Sequence, residues 1–263
     1  MNLIKKIAVC SRSFSRNKTL CDELLKKYDN VVFNDKGLSL HGDSLIEFLQ
    51  GATHAIVALE KIDATILSKL PDLEVISKYG VGLDMIDINA MNKYSVKLGW
   101  TGGVNRRSVS ELVIAFSISL LRHVPAAHKE VLSGIWKQHI GGHLSGRTVG
   151  IIGCGFVGKD LIKLLQSFGC NILANDIRNY DKFYKKYNVK SVSKEELLEN
   201  SDIVTLHTPL NSSTKQMLNS ERLSIMKRNA ILINIARGGL VDEIALKKML
   251  INKKLAAAAF DVF

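Results

Sequence analysis

Proline and cysteine are scarce in this sequence of 263 residues, which contains three prolines and four cysteines. Cys10, Cys21, Cys154 and Cys170 have neither paired nor metal-like spacing. A disulfide framework or a zinc site would require such spacing. We therefore expect reduced cysteines that behave as small apolar residues, with no disulfide and no metal.

Long hydrophobic runs are also lacking. The longest apolar-rich stretch, Leu112–Leu121, contains Ser117 and Ser119 and is shorter than the ~20 apolar residues of a membrane span. Near the start, the apolar stretch Ile7–Cys10 is too short for the core of a signal peptide. These features predict a soluble, cytoplasmic protein with no membrane contact.

Acidic residues are fewer than basic ones, 25 against 36, which gives a formal net charge of +11. Such an excess can attract nucleic acid, an acidic surface or a small anionic ligand. The densest basic cluster, Lys182–Lys190, also contains Phe183, Tyr184 and Tyr187. Because no nucleic-acid-binding fold accompanies it, a solvated basic segment is favoured and no nucleic-acid partner is expected.

The length and the 46% apolar content suit two domains with sizeable cores. Strands and helices alternate in the first hundred residues, which predicts βαβ units and a parallel, doubly wound sheet. The helices begin after capping residues, Thr19, Asp43 and Asp63. The predicted strands are Ile7–Cys10, Val31–Asn34, Ala55–Leu59, Leu73–Ser77 and Val96–Trp100, and the helices are Leu20–Tyr28, Ser44–Leu49 and Ala64–Leu70.

A long helix, residues 108–131, is predicted next, with apolar positions around most of its circumference. The βα alternation then restarts, which indicates a second α/β domain. We place the first domain at residues 1–102 and the second at residues 103–263, with the long helix as a linker. The later predicted strands are Thr148–Ile152, Asn171–Asn175, Asp202–His207, Ala230–Ala236 and Ala256–Val262.

A glycine-rich motif, G-x-G-x-x-G, directly follows the strand that ends at Ile152. Gly153 suits the tight turn, Gly155 lets a pyrophosphate approach the backbone, and Gly158 lets the following helix pack close to the strand. The predicted helix is Leu161–Phe168, and its N-terminus would present free N–H groups and a partial positive charge to the phosphates.

The next strand ends at Asp176, close to the ~20 residues downstream at which a dinucleotide fold places an acid. A carboxylate there binds the ribose hydroxyls and repels a 2′-phosphate, so the expected cofactor is NAD rather than NADP. Arg178 weakens this discrimination slightly. The alternative is a structural glycine turn followed by an unrelated surface aspartate.

Several segments together resemble the signatures of one enzyme family. They are Ser77–Gly82, Gly103–Val113, Thr148–Gly158, Leu206–Leu210 followed by Thr214, Asn234–Asp242 and Ala259–Phe263. In this order they are similar to the NAD-dependent D-2-hydroxyacid dehydrogenases, and the resemblance covers nearly the whole chain. Asn105–Val113, Leu121–Pro125 and Gly134–Trp136 look most like the D-3-phosphoglycerate dehydrogenases.

The resemblance implies a flavodoxin-like substrate-binding domain, a Rossmann NAD-binding domain and a small anionic 2-hydroxy acid as substrate. It favours oxidation of 3-phosphoglycerate to 3-phosphohydroxypyruvate in serine biosynthesis, and leaves lactate, glyoxylate and hydroxypyruvate open. Lys78, Arg106 and Arg107 are candidate phosphate partners or ordinary surface charges. The family also implies a homodimer formed by the NAD domain, the helix 108–131 and the region of Trp136.

The resemblance further assigns roles to individual residues. Tyr79, Gly80, Val81 and Gly82 would bind the substrate carboxylate, through the N–H groups of Val81 and Gly82, and Asn105 would also contact substrate. Arg237 would be the catalytic, substrate-binding arginine, since its planar guanidinium can bind the carboxylate and the reacting oxygen. The implied cofactor residues are Gly153, Gly155, Phe156, Val157, Gly158, Asp176, His207, Thr208, Pro209, Thr214, Ala236, Arg237 and Asp261.

His207 is not expected to be the acid–base residue, because it matches the family's cofactor loop. The family's catalytic glutamate and histidine follow the segment that Asp261–Phe263 matches, and none of the seven histidines follows Arg237. The resemblance therefore predicts a C-terminally truncated chain that lacks the last strand of the NAD domain, the return helix and acid–base catalysis. A non-catalytic NAD-binding regulator or dimerisation module of the same fold is the alternative function.

Overall fold

A computed structural model describes residues 6–263 of the chain. The sequence evidence against a signal peptide rests partly on residues 1–5, which lie outside the described residues. The chain divides between Val104 and Asn105 into two compact units, and each of them contains one parallel sheet.

The sheet of the first unit has five parallel strands in the order β2-β1-β3-β4-β5. This is the flavodoxin-like order. The strands are β1 Ile7–Val9, β2 Val31–Phe33, β3 His54–Val57, β4 Val75–Lys78 and β5 Lys97–Gly99. The helices are α1 Arg12–Ser15, α2 Lys18–Leu25, α3 Gly42–Leu49, α4 Ala64–Leu67 and α5 Ile88–Lys93.

Helix starts in this unit follow capping chemistry, though not always at the predicted residue. Asp63 precedes α4 and accepts hydrogen bonds from the N–H groups of Thr65 and Ile66, at 3.0 and 3.2 Å. Asn17, rather than Thr19, caps α2 by accepting the Leu20 N–H at 3.2 Å. Helix α3 begins after His41, so that Asp43 lies in its first turn.

The sheet of the second unit has six parallel strands in the order β11-β10-β9-β6-β7-β8. Read from β8, this is the Rossmann order 3-2-1-4-5-6, so the prediction of two doubly wound domains is confirmed. The strands are β6 Thr148–Ile152, β7 Asn171–Asn175, β8 Val189–Ser191, β9 Ile203–Leu206, β10 Ile231–Asn234 and β11 Ala257–Phe260. The helices are α6 Arg106–Leu121, α7 Val124–Leu132, α8 Phe156–Leu165, α9 Asp181–Lys186, α10 Lys194–Asn200, α11 Ser220–Ser224 and α12 Glu243–Ile251, with a 3₁₀ turn at Gln166–Phe168.

The central strands β9 and β10 are buried along their whole length, as expected for parallel strands covered on both faces. Strand β6 shows how closely a helix approaches the sheet. A Cβ atom built on Gly150 would lie 2.3 Å from Ser201 Oγ and 2.4 Å from Leu197 Cδ2. Helix α10 therefore packs directly on the backbone of β6, in a space that a side chain would need.

The predicted helix 108–131 is instead two helices, α6 and α7, which meet at an angle of 61°. His123 lies between them in the left-handed region, with φ of 56°. Pro125 explains the break, because proline lacks the N–H for a bond to Leu121 and its ring would clash with that carbonyl. The Leu121 carbonyl accepts the Gly142 N–H instead, at 2.9 Å.

Among residues 6–263, no single helix is long and apolar enough to cross a membrane. The bent pair α6 and α7 meets the criteria of length and composition when the two helices are taken together.

Candidate cofactor and substrate site

The glycine motif forms the turn between β6 and α8, and its glycines meet different constraints. Gly153 has φ of +98°, and a Cβ there would lie 2.6 Å from the His207 carbonyl oxygen. A Cβ on Gly158 would lie 2.2 Å from the Gly153 carbonyl oxygen, whereas one on Gly155 would meet nothing within 4 Å. The first and third glycines therefore permit packing, and the second faces open space.

Helix α8 begins at this open space. Within the described chain, no side chain caps its start at Gly155, so the N–H groups of its first turn remain available to a ligand. Phe156 and Val157 are the first residues of the helix. The geometry fits a cofactor pyrophosphate, because helix N-termini favour anions.

Asp176 lies directly against the glycine turn. Its Oδ2 accepts the Cys154 N–H at 2.6 Å, and its Oδ1 accepts the Arg178 N–H at 2.8 Å. Two backbone donors thus fix the carboxylate beside the open space at Gly155. An anionic group in this position suits ribose hydroxyls and disfavours a 2′-phosphate.

Cys154 lies inside the glycine turn and is fully buried. Burial raises the pKa of its thiol to about 11. The thiol is therefore neutral at pH 7 and unsuited to nucleophilic chemistry.

The loop after β9 begins at His207. The His207 N–H donates to the Ile152 carbonyl at 2.8 Å, and the ring Nε2 is 3.0 Å from Thr205 Oγ1. Burial lowers the pKa of His207 to about 4, so the ring is neutral at pH 7. The residue fits a structural role at the cofactor edge better than proton transfer.

Thr208 and Pro209 continue this loop, which Thr214 organises. Thr214 Oγ1 donates to the Pro209 carbonyl at 2.7 Å and accepts the Asn211 N–H at 2.8 Å. The predicted cofactor residue Thr214 thus uses its hydroxyl to shape the segment that contains Pro209.

The loop after β10 holds Ala236 and Arg237, and its shape depends on Asn234. The Asn234 side chain is fully buried; its Nδ2 donates to the Arg237 carbonyl at 2.8 Å and its Oδ1 accepts the Ala236 N–H at 3.2 Å. Arg237 Nη1 donates to the Ala236 carbonyl at 2.6 Å. Asp261, after β11, donates its N–H to the Asn234 carbonyl at 3.2 Å.

Asn234 was not among the predicted site residues. Its signal in the sequence was an amide side chain at the end of an otherwise apolar strand. The residues of the glycine turn, Asp176, His207, Ala236 and Asp261 all follow strands of one parallel sheet. They therefore lie along its carboxyl edge, where doubly wound folds bind ligands.

In the first unit, Tyr79, Gly80, Val81 and Gly82 follow β4. The Tyr79 N–H donates to the Val57 carbonyl at 2.8 Å, and the Trp100 indole Nε1 donates to the Val81 carbonyl at 3.1 Å. Trp100 is a second residue that sequence reasoning missed at this loop. A hollow of about 400 Å³ lies beside the loop and is lined by Lys78, Tyr79, Gly80, Gly99, Trp100, Thr101 and Val104.

The candidate phosphate partners differ in their contacts. Lys78 Nζ donates to the Ala58 carbonyl and lies 3.5 Å from the Cβ position of Gly80. Arg107 instead pairs with Asp160 of α8, with 3.0 Å between Nη2 and Oδ1. Lys78 therefore adjoins the proposed carboxylate loop, whereas Arg107 is engaged by a carboxylate of its own unit.

A groove of about 810 Å³ between α11 and α12 is not part of this arrangement. Arg228 and Lys254, which line it, precede β10 and β11 and so lie at the opposite edge of the sheet. The glycine turn is therefore a better candidate for the cofactor site than this groove.

Comparison with known proteins agrees with the geometry. Residues 114–263 match the family model "D-isomer specific 2-hydroxyacid dehydrogenase, NAD binding domain". D-3-phosphoglycerate dehydrogenase of Bacillus subtilis is 38% identical over 205 residues, covering 77% of this chain and 39% of the relative. Glyoxylate reductase of Thermofilum pendens is 39% identical over 243 residues, covering 89% and 72%.

Among solved structures, D-lactate dehydrogenase of Aquifex aeolicus in complex with NAD and lactic acid matches with a TM-score of 0.84 and 26% identity, over 98% of this chain and 77% of that one. The alignment spans well under half of the Bacillus relative. The chain belongs to the D-isomer specific 2-hydroxyacid dehydrogenase family, and it carries that family's NAD-binding domain.

Proposed function

We propose that the protein is an NAD-dependent oxidoreductase that acts on the CH–OH group of a D-2-hydroxy acid. The observation that carries this proposal is the Asp176 carboxylate, held 2.6 Å from the Cys154 amide beside the open space at Gly155. When bound, NAD would supply the hydride acceptor for the substrate carbon, and the hydroxyl proton would be released to a base or to solvent. The chain's own part is to bind and orient the two molecules.

For the cofactor, the first turn of α8 would bind the pyrophosphate and Asp176 the adenosine ribose. His207, Thr208 and Pro209 would line the adenosine side, and Asp261 would accept a hydrogen bond from the carboxamide. The loop at Ala236 and Arg237 would line the rest of the cofactor site at the carboxyl edge of the sheet. These assignments combine the family resemblance with the position of each loop at the carboxyl edge of the sheet.

For the substrate, the N–H groups of Val81 and Gly82 would bind the carboxylate, and Arg237 would be the substrate-binding arginine. Asn105 would be a further substrate contact. The proposed substrate is 3-phosphoglycerate, oxidised to 3-phosphohydroxypyruvate as in serine biosynthesis. Lys78 supports a second anionic group, because its ammonium lies beside the loop and lines the adjoining hollow.

We also propose a homodimer, formed through α7 and the segment that follows it. This region exposes large apolar side chains, among them Trp136 at 93% and Ile140 at 92% exposure. Large exposed apolar patches mark interaction sites. A second copy of the chain is the occupant that the family resemblance implies.

His207 is the one histidine among the site residues assigned above, and it is poorly suited to proton transfer; this favours a second candidate, a chain that binds NADH without turning substrate over. A pKa near 4 makes this histidine a weak proton acceptor. An assay separates the dehydrogenase from the non-catalytic candidate. The protein is incubated with NAD and D-3-phosphoglycerate, D-lactate or glycolate, and NADH absorbance is followed. NADH formation supports the dehydrogenase, and binding without formation supports the regulator.

Titration of NADH and NADPH, followed by nicotinamide fluorescence, tests the cofactor site itself. We expect preference for NADH, and we expect Asp176→Asn to weaken NADH binding about tenfold or more because charge-assisted hydrogen bonds are lost. The difference in affinity between NADH and NADPH should be smaller in Asp176→Asn than in the wild type. Asp181→Asn, an exposed change on α9, is the matched control. Equal NADH affinity of the two variants would contradict the assignment of Asp176.

A further inference from the structure

The buried carboxylate Asp160 on α8 has an unusual environment. Its side chain is 8% exposed and its Oδ1 meets Arg107 Nη2 at 3.0 Å. Its Oδ2 is buried and has no hydrogen-bond partner among the described residues. The Arg107 side chain is 56% exposed, and solvent screening keeps the contribution of such a pair to stability small. Stability alone is therefore a poor reason for an acid here.

A second contact joins the same two helices. Ser110, which is fully buried, directs its Oγ to the Val157 carbonyl at 3.3 Å. Arg107 and Ser110 lie one turn apart on α6, and Asp160 and Val157 lie one turn apart on α8, so both contacts belong to facing sides of the helices. Together they fix the first turn of α6 against the first turn of α8.

The first turn of α6 begins at Asn105. The Asn105 carbonyl accepts the Ser108 hydroxyl at 2.9 Å and the Val109 N–H at 3.2 Å. Its side chain makes no capping hydrogen bond in the described structure, which leaves the amide for another partner. The backbone of Asn105 is thus tied to α6, and α6 is tied to the helix that would face the pyrophosphate.

We infer that Arg107 and Asp160 are positioning residues that couple cofactor binding at α8 to substrate binding at Asn105. This inference rests on the proposed function; it gives Arg107 a positioning role in place of phosphate binding and adds Asp160, for which the sequence predicted no role. NADH bound at the first turn of α8 would hold that helix in place, and the ion pair would hold α6 and Asn105 in the orientation that the substrate anion requires. The pair touches neither ligand.

The test measures coupling between two ligands, with oxalate as an unreactive analogue of a 2-oxo acid. Oxalate affinity is measured by calorimetry with and without saturating NADH. In the wild-type chain we expect NADH to tighten oxalate binding about fivefold or more, and the reciprocal effect on NADH must be equal. Arg107→Met should remove most of this increase in oxalate affinity, and its affinity for NADH in the absence of oxalate should stay within about threefold of the wild-type value.

Arg107→Met also leaves a buried carboxylate uncompensated and could lower stability. The double variant Arg107→Met/Asp160→Asn removes that charge as well. If the double variant regains stability but NADH still does not tighten oxalate binding, the pair has a positioning role. If the double variant regains both stability and the effect of NADH on oxalate affinity, the pair is structural only and the inference is overturned. Glu111→Gln, an exposed change on α6, controls for loss of charge.

The wild-type chain separates this inference from the proposed function. If it binds NADH but oxalate affinity does not respond, the coupling is refuted and the cofactor site stands. If it does not bind NADH at all, the proposed function is refuted as well.

Discussion

Gly155 and Gly158 belong to the same glycine motif, yet the structure predicts different effects of adding a methyl group at each. A Cβ on Gly158 would collide with the Gly153 carbonyl at 2.2 Å, and one on Gly155 would meet nothing within 4 Å. Gly158→Ala should destabilise the second unit by about 1–3 kcal/mol, as overpacking does. Gly155→Ala should leave the melting temperature unchanged and weaken NADH, because its methyl group occupies the space of the pyrophosphate.

Thermal unfolding and NADH titration of both variants check this pair. The interpretation of the loop fails if Gly155→Ala lowers the melting temperature as much as Gly158→Ala does. It also fails if Gly155→Ala binds NADH as tightly as the wild type.

His207 provides a prediction of pH dependence. Its pKa in the folded chain, about 4, lies below the ~6.5 of an unfolded chain. The unfolded state therefore binds the proton more readily, and the stability that depends on the neutral ring is present above about pH 6.5 and lost as the pH falls towards 4. Urea unfolding at several pH values should show His207→Gln to be less acid-sensitive than the wild type.

An NMR titration of the His207 ring measures the same property directly. A midpoint near 6.5 would show that the ring is not held neutral, and the proposed burial effect would then be refuted.

At the scale of helices and strands, the sequence predicted the elements with strong local signals. The strand β6, the glycine turn and the position of Asp176 follow from apolar residues and glycines that are close in sequence. Strand β8, which is short and lies within and just after the basic cluster, has no comparable signal and was not predicted. The break between α6 and α7 had a local signal in Pro125, but the continuous apolar pattern concealed it.

Other features depend on contacts between distant residues and could not be predicted from local patterns. Gly150 is required by α10, which packs on the strand from another part of the chain. Asn234 looks like an ordinary strand end until its bonds to Ala236 and Arg237 are known. The site residues derived from the resemblance remain predictions about binding, although the structure places the loops that contain them.

At the start of α2, the predicted capping residue, Thr19, differs from the observed one, Asn17, and substitutions can distinguish them. Asn17 accepts the Leu20 N–H at 3.2 Å, whereas Thr19 lies inside the helix. Asn17→Ala should cost about 1 kcal/mol of stability through loss of the cap, and Thr19→Ala should change stability by less than about 0.5 kcal/mol. Chemical denaturation of the two variants measures both, and equal losses would argue against Asn17 as the cap.

At the scale of the whole molecule, the exposed apolar side chains after α7 determine the expected assembly. Trp136→Ser should shift a dimer towards monomer, because burial of this indole between two copies would be lost. Light scattering after size exclusion measures the mass. Ile251→Ser, at a side chain that is 68% exposed on α12, is the matched control, and the proposed interface is refuted if the two variants dissociate equally.

The bond from the Trp100 indole to the Val81 carbonyl spans nineteen positions of the chain and has a stereochemical result. The peptide that joins Val81 to Gly82 is planar and trans, so its C=O and N–H point in opposite directions. By holding the oxygen on its own side, the tryptophan turns the Gly82 amide hydrogen away from itself. Trp100, in the loop after the neighbouring strand, thus sets the direction of the Gly82 N–H, which we propose as a donor to the substrate carboxylate. To change the direction of this N–H, Trp100 is therefore a better position for substitution than the glycines.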